Sequence, residues 1–412
     1  MNASPRKKVL FVINTLGRGG AEVALMELMR QFSPEKYDLS LYVMLGQGEL
    51  VDRLPQGVSL LNRRYDSSDV LSAAGKGRLY RKVLGIGLRR GAILRNAPYI
   101  LKNLWAMERL HRIQPDKLLW RTVADGTAPL PGEYDLAVAY IEGASTYYVS
   151  RKVRAKRKAA FVHVDYRKAG YTRALDGGCY TAFDRIFGVS DEVRESFVAL
   201  YPEYAEKTGV FHNIINQEQI RRRAQEPGGF TDGYEGIRIM TVGRLVKQKA
   251  FEVSVRAMRL LKDAGVCARW YVFGEGEERG ALEAEIARLG LRDDFLLPGV
   301  VDNPYPYFKQ TDLYVHCSRY EGRSIAVQEA QTLGCPILVS DCSGNREQVT
   351  DGVDGLLVDF APQAIAGAIR RLIDDPALRE RLGKNAAARD LSGRDTEKIM
   401  ALLEGEQNSG GV

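Results

Sequence analysis

The chain has 412 residues with 59 Lys and Arg against 52 Asp and Glu, a formal net charge of +7, and 45% hydrophobic, 27% charged and 9% aromatic residues. That composition is ordinary for a globular protein and excludes a disordered or fibrous one, while the length predicts about two or three domains. No stretch approaches the roughly 18 uninterrupted apolar residues of a membrane span, and the start MNASPRKKVLFVIN breaks its apolar run at Asn14 without a small-residue cleavage site, so a mature cytosolic chain is expected.

In chain order, Lys8–Asn14 reads as a strand, Gly17–Gly20 as a glycine loop, Ala21–Phe32 as a helix and Leu39–Leu45 as a strand, the alternation of a parallel sheet covered by helices. Between Arg63 and Arg112 twelve basic residues stand against three acidic ones, a balance of +9 that leaves −2 for the rest of the chain. Apolar residues recur there at helical spacing, Tyr80, Val83, Leu84 and Leu88, then Ala97, Tyr99, Ile100, Leu101, Leu104 and Trp105, and Pro98 predicts a break between two helices. A second cluster, RKVRAKRK at 151–158, holds six cations in eight residues. Each cluster reads either as a solvated face or as contact for an anionic surface partner. Basic amphipathic helices gain on the order of 1 kcal/mol per cation near acidic lipid, and the chain shows no nucleic-acid-binding motif, so an anionic membrane surface is preferred over nucleic acid.

Further strands are expected at Leu136–Tyr140, Ala159–His163 and Arg185–Val189, which together fill a first domain over 1–205. The polar, glycine-rich RAQEPGGFTDGYEG at 223–236 holds off the next strand until Ile237. From there strands Ile237–Val242, Arg269–Phe273, Phe295–Leu297, Leu313–Cys317 and Pro336–Ser340 alternate with helices, the first over Lys249–Leu261, in a second domain over 206–390, and residues 391–412 read as a C-terminal helix and frayed tail that could pack back on the first domain. Five cysteines, odd in number and without a CxxC pair, point to buried reduced thiols rather than disulfides or zinc.

Open parallel sheets place ligands at the carboxyl ends of their strands. The loop Asn14–Gly20 leads into a helix N-terminus suited to an anion, but a dinucleotide fingerprint from Gly17 would need glycine where Glu22 stands, and no GxxxxGK[ST] phosphate loop exists. Arg244 and Lys249 follow the strand ending at Val242, where a forked guanidinium and a mobile ammonium suit a pyrophosphate. Glu321 and Glu329, 329 − 321 = 8 apart, read either as helix-dipole compensation or as acceptors for vicinal ribose hydroxyls. His163 ends a strand and precedes Asp165, whereas His111, His212 and His316 read as surface, loop and strand positions. With no D-x-D triplet and no spaced His/Asp/Glu set, no metal site is expected.

The motifs GRGGAE (17–22), FVHVDY (161–166), GVS (188–190), HN (212–213), VGRLVKQKAFE (242–252), FGEGEER (273–279), PGVVDNPYPYF (298–308), SRYEGRSIAVQEAQTLGCPILVSDCSG (318–344) and DGVDGLLV (351–358) resemble, in order, those of the retaining glycosyltransferases of family 4, of the bacterial surface-polysaccharide type. The resemblance implies an α/β protein of GT-B architecture, two Rossmann-like doubly wound parallel-sheet domains facing across a cleft, the first binding the acceptor and the second the nucleotide sugar. It implies that Arg244 and Lys249 hold the donor diphosphate, that Glu329 binds the ribose, that Glu321 contacts the donor sugar and that His163 is the active-site histidine. Gly19 and Gly20 match the glycine loop near the phosphates, and Ser324 and Ile325 the loop whose backbone N–H groups reach donor oxygens. Ala250 departs from the glycine common after the lysine, and Arg323 from an aromatic or apolar residue, an extra cation that could favour an acidic group on donor or acceptor.

The implied activity is a metal-independent hexosyl transfer from a nucleotide sugar, a UDP-sugar, to a polyprenyl-diphosphate-linked glycan in capsule, exopolysaccharide or O-antigen synthesis, by an enzyme peripheral on the inner face of the plasma membrane. The nucleotide sugar is then a substrate and no cofactor is expected. A soluble acceptor, a GT-B epimerase and a catalytically silent polyanion- or glycan-binding protein are the alternatives.

Overall fold

The structure, a computed structural model, describes residues 5–109, 115–391, 393 and 395–405; the tail expected to fray, 406–412, and His111 lie outside the described residues. The chain divides into two compact units, Met1–Asn213 with Arg394–Val412, and Ile214–Gly393.

Among the described residues the first unit holds seven strands: β1 (Lys7–Ile13), β2 (Tyr37–Val43), β3 (Val58–Leu60), β4 (Tyr134–Ala139), β5 (Ala155–Val162), β6 (Arg185–Gly188) and β7 (Thr208–Val210). They pair in parallel in the order β3-β2-β1-β4-β5-β6-β7. Strands buried on both faces need continuous apolar runs, and the last five residues of β1 and last four of β4 and β5 are fully buried. β7 extends this sheet beyond residue 205, because it hydrogen-bonds to β6 through Ile186, Phe187 and Gly188. The helix Thr396–Glu404 belongs to the same unit: Lys398 Nζ donates to Val210 O at 2.7 Å and Lys7 Nζ to Leu403 O at 3.0 Å.

The second unit holds β8 (Ile237–Val242), β9 (Ala268–Phe273), β10 (Phe295–Gly299), β11 (Leu313–His316), β12 (Ile337–Ser340) and β13 (Leu356–Val358), in the order β10-β9-β8-β11-β12-β13. All of its pairs are parallel. Its core packs Trp270, Val272, Val315 and Leu338 against helical Val255, Met258, Ile365 and Ile369. The buried indole N–H of Trp270 is satisfied by Thr241 Oγ1 at 2.9 Å, which in turn donates to Val315 O at 2.6 Å. In both sheets the chain order reverses beside the first strand, at β1/β4 and β8/β11, the topological switch where such sheets present their ligand crevice.

Two expectations are corrected. Pro98 does not separate two helices: Ala92–Arg109 runs through it, on an exposed face where one missing N–H is tolerated, and the break falls at Arg89–Gly91, where Arg90 (φ 56) and Gly91 (φ 63) turn left-handed. The helix after β8 begins at Phe251 rather than at Lys249, because a tight turn over Lys247–Lys249 and a left-handed Ala250 intervene. In the cluster at 151–158, Arg151, Arg154, Lys156 and Arg157 stay exposed, and most of its cations also have partners within the protein. Arg151 pairs with Asp125, Lys156 with Asp135 and Arg157 with Asp184, while Lys152 and Lys158 donate to the carbonyls of Asp125 and Val149. Of the cysteines, Cys179, Cys317, Cys335 and Cys342 are buried and Cys267 is exposed, and all five are free. Among the described residues no helix is long and apolar enough to cross a membrane.

Candidate functional site

In the first unit three adjacent strand ends are tied together. Asn14, after β1, is buried and donates through Nδ2 to Glu142 O at 3.0 Å while its Oδ1 accepts from Ser145 N at 2.9 Å, joining the loop after β4. Glu142 in turn accepts from His163 N at 2.9 Å through Oε2, joining the loop after β5. His163 is half-buried against the Tyr140 and Phe161 rings, with centroids at 5.1 and 6.1 Å. Burial pushes its imidazole down to about 4, only partly countered by a hydrogen bond to the Tyr140 backbone, so the ring is neutral near pH 7. Its Nε2 is enclosed and has no hydrogen-bond partner among the described residues, so a water or a ligand must supply one. Asp165 does not face that ring: its carboxylate accepts from Ser196 Oγ at 2.7 Å and Lys168 N at 3.1 Å, which shapes the following turn.

Gly19 caps, and Gly20 begins, the helix Gly20–Arg30. Its free N-terminal amides and dipole favour an anion, but Glu22 bends back over them, accepting from Thr15 Oγ1 at 3.3 Å, and its Oε2 would lie 2.4 Å from a Cβ at position 19.

In the second unit the turn after β8 and the loop after β11 are stitched together: Gln248 Nε2 donates to Tyr320 O at 2.9 Å and Arg319 N to Gln248 O at 2.9 Å. This brings Lys249 Nζ to 2.6 Å from Glu321 Oε1, with both side chains largely buried. Burial alone raises the Glu321 carboxyl, yet the Lys249 ammonium and the contact with His316 outweigh it and hold it well below the usual carboxylate range. Arg244, by contrast, is exposed, and its guanidinium makes no ion pair or hydrogen bond among the described residues, so it is available to an anion. The loop after β12 closes over Glu321 at Gly344, φ 67, where a Cβ would lie 2.3 Å from Gly322 O; only glycine permits that approach.

Ser324 caps the helix Ile325–Thr332, its Oγ accepting from Val327 N at 3.4 Å. Its own N–H is not free: it donates to Gln348 Oε1 at 2.6 Å, while Gln348 Nε2 donates to Ser324 O at 2.8 Å. Without a ligand the Ser324 amide is thus engaged by the Gln348 side chain, whereas the amides of Ile325 and Ala326 head the helix without an intrahelical partner. One turn on, Glu329 is buried and accepts from Tyr305 OH at 2.9 Å. Burial pushes its carboxyl up to about 7 against the lowering effects of Tyr305 and Arg223. Arg323 is half-buried on the same loop.

His316 is the site residue that sequence reasoning missed. Fully buried at the end of β11, it places Nε2 3.1 Å from Glu321 Oε1 and 3.2 Å from Lys249 Nζ, with Tyr314 OH 3.2 Å from Nδ1. One ring nitrogen cannot donate to the carboxylate and accept from the ammonium at once, so the tautomer decides which it serves. The available signal was an ionisable residue at the very end of an otherwise apolar strand, five before Glu321. Tyr305, Gln348 and Glu142 carried no such signal.

The family model described as Glycosyl transferases group 1 matches residues 233–389. An alpha-D-kanosaminyltransferase of Streptomyces kanamyceticus is 33% identical over 152 residues, 36% of this chain and 39% of that protein. A lipopolysaccharide core biosynthesis glycosyltransferase of Rhizobium meliloti is 37% identical over 145 residues, 35% of this chain and 41% of that one. An N-acetylgalactosamine-N,N'-diacetylbacillosaminyl-diphospho-undecaprenol 4-alpha-N-acetylgalactosaminyltransferase of Campylobacter jejuni is 29% identical over 212 residues, 51% of this chain and 56% of it. The similarity thus spans roughly half or less of these relatives' lengths. Among solved structures, Anabaena HepE in complex with UDP-glucose superposes with a TM-score of 0.65 at 15% identity, covering 97% of this chain and 100% of that one. Sucrose-phosphate synthase of Thermosynechococcus elongatus gives 0.65 at 16%, covering 97% and 99%. These two likenesses establish the fold, two Rossmann-like domains of GT-B type. The match to the glycosyl transferases group 1 model, residues 233–389, falls within the second unit.

Proposed function

We propose that the chain is a retaining, metal-independent glycosyltransferase that moves a hexosyl group from a UDP-sugar to a polyprenyl-diphosphate-linked glycan in capsule, exopolysaccharide or O-antigen synthesis, working peripherally at the inner face of the plasma membrane. The observation that carries this reading is the rim of the second sheet, where buried Lys249 and Glu321 pair beside unpaired Arg244 and buried Glu329 accepts from Tyr305. The UDP-glucose held by the Anabaena neighbour and the lipid-linked substrate in the Campylobacter relative's name favour the donor and acceptor classes.

In this reading the anomeric C–O bond to the diphosphate breaks and negative charge gathers on the leaving phosphate. Arg244, Lys249 and the amides of Ile325 and Ala326 stabilise it as preplaced charges and dipoles. The acceptor hydroxyl attacks from the face the phosphate leaves and gives its proton to a phosphate oxygen, which retains configuration without an enzyme nucleophile. Neutral His163 orients a sugar hydroxyl through Nε2, Glu321 another, and Glu329 accepts from the ribose. Gly19 and Gly20 line the phosphate side, and Arg323 favours an acidic group on donor or acceptor.

A thermal-shift panel with UDP, GDP, ADP, CDP and NAD, each with and without magnesium, tests the reading, since a ligand at about 100 times its Kd adds about 2.7 kcal/mol. Selective stabilisation by UDP without metal is expected; another nucleoside diphosphate would correct the donor, and no shift from any would overturn the reading.

A further inference from the structure

The helix Ala92–Arg109 buries Ala92 and Met107 but leaves a second apolar stripe facing outward. Its buried side presents Asn96 and Asn103, 3% exposed each, while Leu94, Leu101 and Trp105 on the opposite side are 79%, 67% and 56% exposed. At about 100° per residue, Leu94, Pro98, Leu101 and Trp105 fall within roughly 60° of one another, and Arg95, Lys102 and Arg109 form a row along one flank. The preceding helix, Ala73–Leu88, adds exposed Leu84 and Leu88. A water-facing helix ordinarily turns its leucines inward, and an apolar stripe of this kind marks a contact surface.

The orientation is held from beneath by polar bonds. Asn96 Nδ2 donates to Asp125 Oδ2 at 2.9 Å, Tyr99 OH donates to Leu175 O at 3.0 Å, and Arg121 lies 4.5 Å from the Tyr99 ring centre. Rotating the helix to hide its leucines would strand these groups, so the apolar stripe stays out. Arg95 and Lys102 make no ion pair among the described residues, and Arg109 stacks on Trp105 at 3.6 Å. Glu108 is the only acid in the helix.

We propose that the stripe Leu94–Leu101–Trp105 inserts into the interfacial layer of an anionic lipid bilayer, with Arg95, Lys102 and Arg109 at the headgroups and Leu84 and Leu88 alongside. Apolar anchors bordered by cations, with an indole at the boundary, match that layer. A second copy of the same face would bring like charges together. The inference gives a physical basis to the membrane clause of the reading above and does not depend on sugar transfer.

Full-length protein is to be co-sedimented with phosphatidylcholine vesicles with and without phosphatidylglycerol, at low and high salt, while Trp105 emission is followed. Binding to anionic vesicles, a blue shift and weakening with salt are expected. Arg95→Gln/Lys102→Gln/Arg109→Gln should weaken binding on the order of a hundredfold, and Leu94→Gln/Leu101→Gln/Trp105→Gln should abolish it; these side chains are exposed, so both variants keep the wild-type Tm. Absence of binding to anionic vesicles at low salt, or binding unchanged in the apolar variant, overturns the inference. So does a concentration-dependent dimer abolished by that variant without vesicle binding. A UDP thermal shift on the same sample separates the outcomes, because a protein that binds UDP but not vesicles sinks the docking face alone.

Discussion

Lys249 Nζ lies 2.6 Å from Glu321 Oε1, and neither side chain has more than modest access to water. Removing one member strands the other charge, which costs about 3–5 kcal/mol, whereas removing both can be close to neutral. Lys249→Met should therefore lower the urea midpoint strongly, and Lys249→Met/Glu321→Gln should recover most of the loss. A double variant as unstable as the sum of the singles would show that the two do not interact. Because the folded Glu321 carboxyl lies below its unfolded value of 4.5, its contribution is complete above that pH and fades as pH falls below it.

His316 Nε2 can donate to Glu321 or accept from Lys249, not both. In the proposed reading a diphosphate draws Lys249 away, and the imidazole N–H is left to hold Glu321 in place. His316→Phe should then lower kcat about tenfold with donor KM little changed, and His316→Gln, which restores an N–H near the same point, should recover part of it. An equal effect on both parameters, without rescue, would mark His316 as a packing residue only.

Glu329 is a carboxyl raised to about 7. Between pH 4.5 and 7 the folded state keeps a proton that the unfolded state has lost, so this group reduces folding stability as pH rises through that window. A carboxylate accepts two ribose hydroxyls and a protonated acid fewer. UDP affinity measured calorimetrically should thus rise several-fold from pH 6 to pH 8, and Glu329→Gln should bind more weakly with a flat profile. A flat profile in the wild type would remove the ribose role.

His163→Ala should lower turnover with modest change in donor affinity, since its enclosed Nε2 has no internal partner to lose. With its folded value at about 4 against 6.5 unfolded, His163 destabilises the fold only as pH drops below the unfolded value, and it adds no limb to a rate profile between pH 5 and 8. Donor affinity falling as steeply as turnover would reassign it.

Ala250 is fully buried yet left-handed at φ 48, a conformation that costs an L residue roughly 1–2 kcal/mol. Ala250→Gly relieves that strain and loses a buried methyl plus chain entropy of similar size, so its Tm should match the wild type closely. Ala257→Gly, buried within the helix that follows, has no strain to relieve and should cost about 1 kcal/mol or more. Equal losses at both positions would show that Ala250 stores none.

Much of the architecture was legible because it is local. Apolar runs such as Val9–Ile13 alternate with helical periods, and that pattern dictates two parallel sheets; loops after strand ends then had to carry Gly19, His163, Arg244, Lys249 and Glu321. Strand order was not local. β8 and β11 are neighbours although some seventy residues separate them, and only that pairing sets His316 beside the Lys249–Glu321 pair, while the pairing of β11 with β12 brings Gln348 onto the Ser324 amide. Charge and spacing likewise could not tell an inward face from an outward one. The cations at 151–158 met carboxylates and carbonyls supplied by distant segments, while Leu94, Leu101 and Trp105 kept a spacing that a buried helix would share. Periodicity states that a helix has an apolar side; which side faces the protein is set by the partners packed beneath it, here Asp125 and Leu175 holding Asn96 and Tyr99.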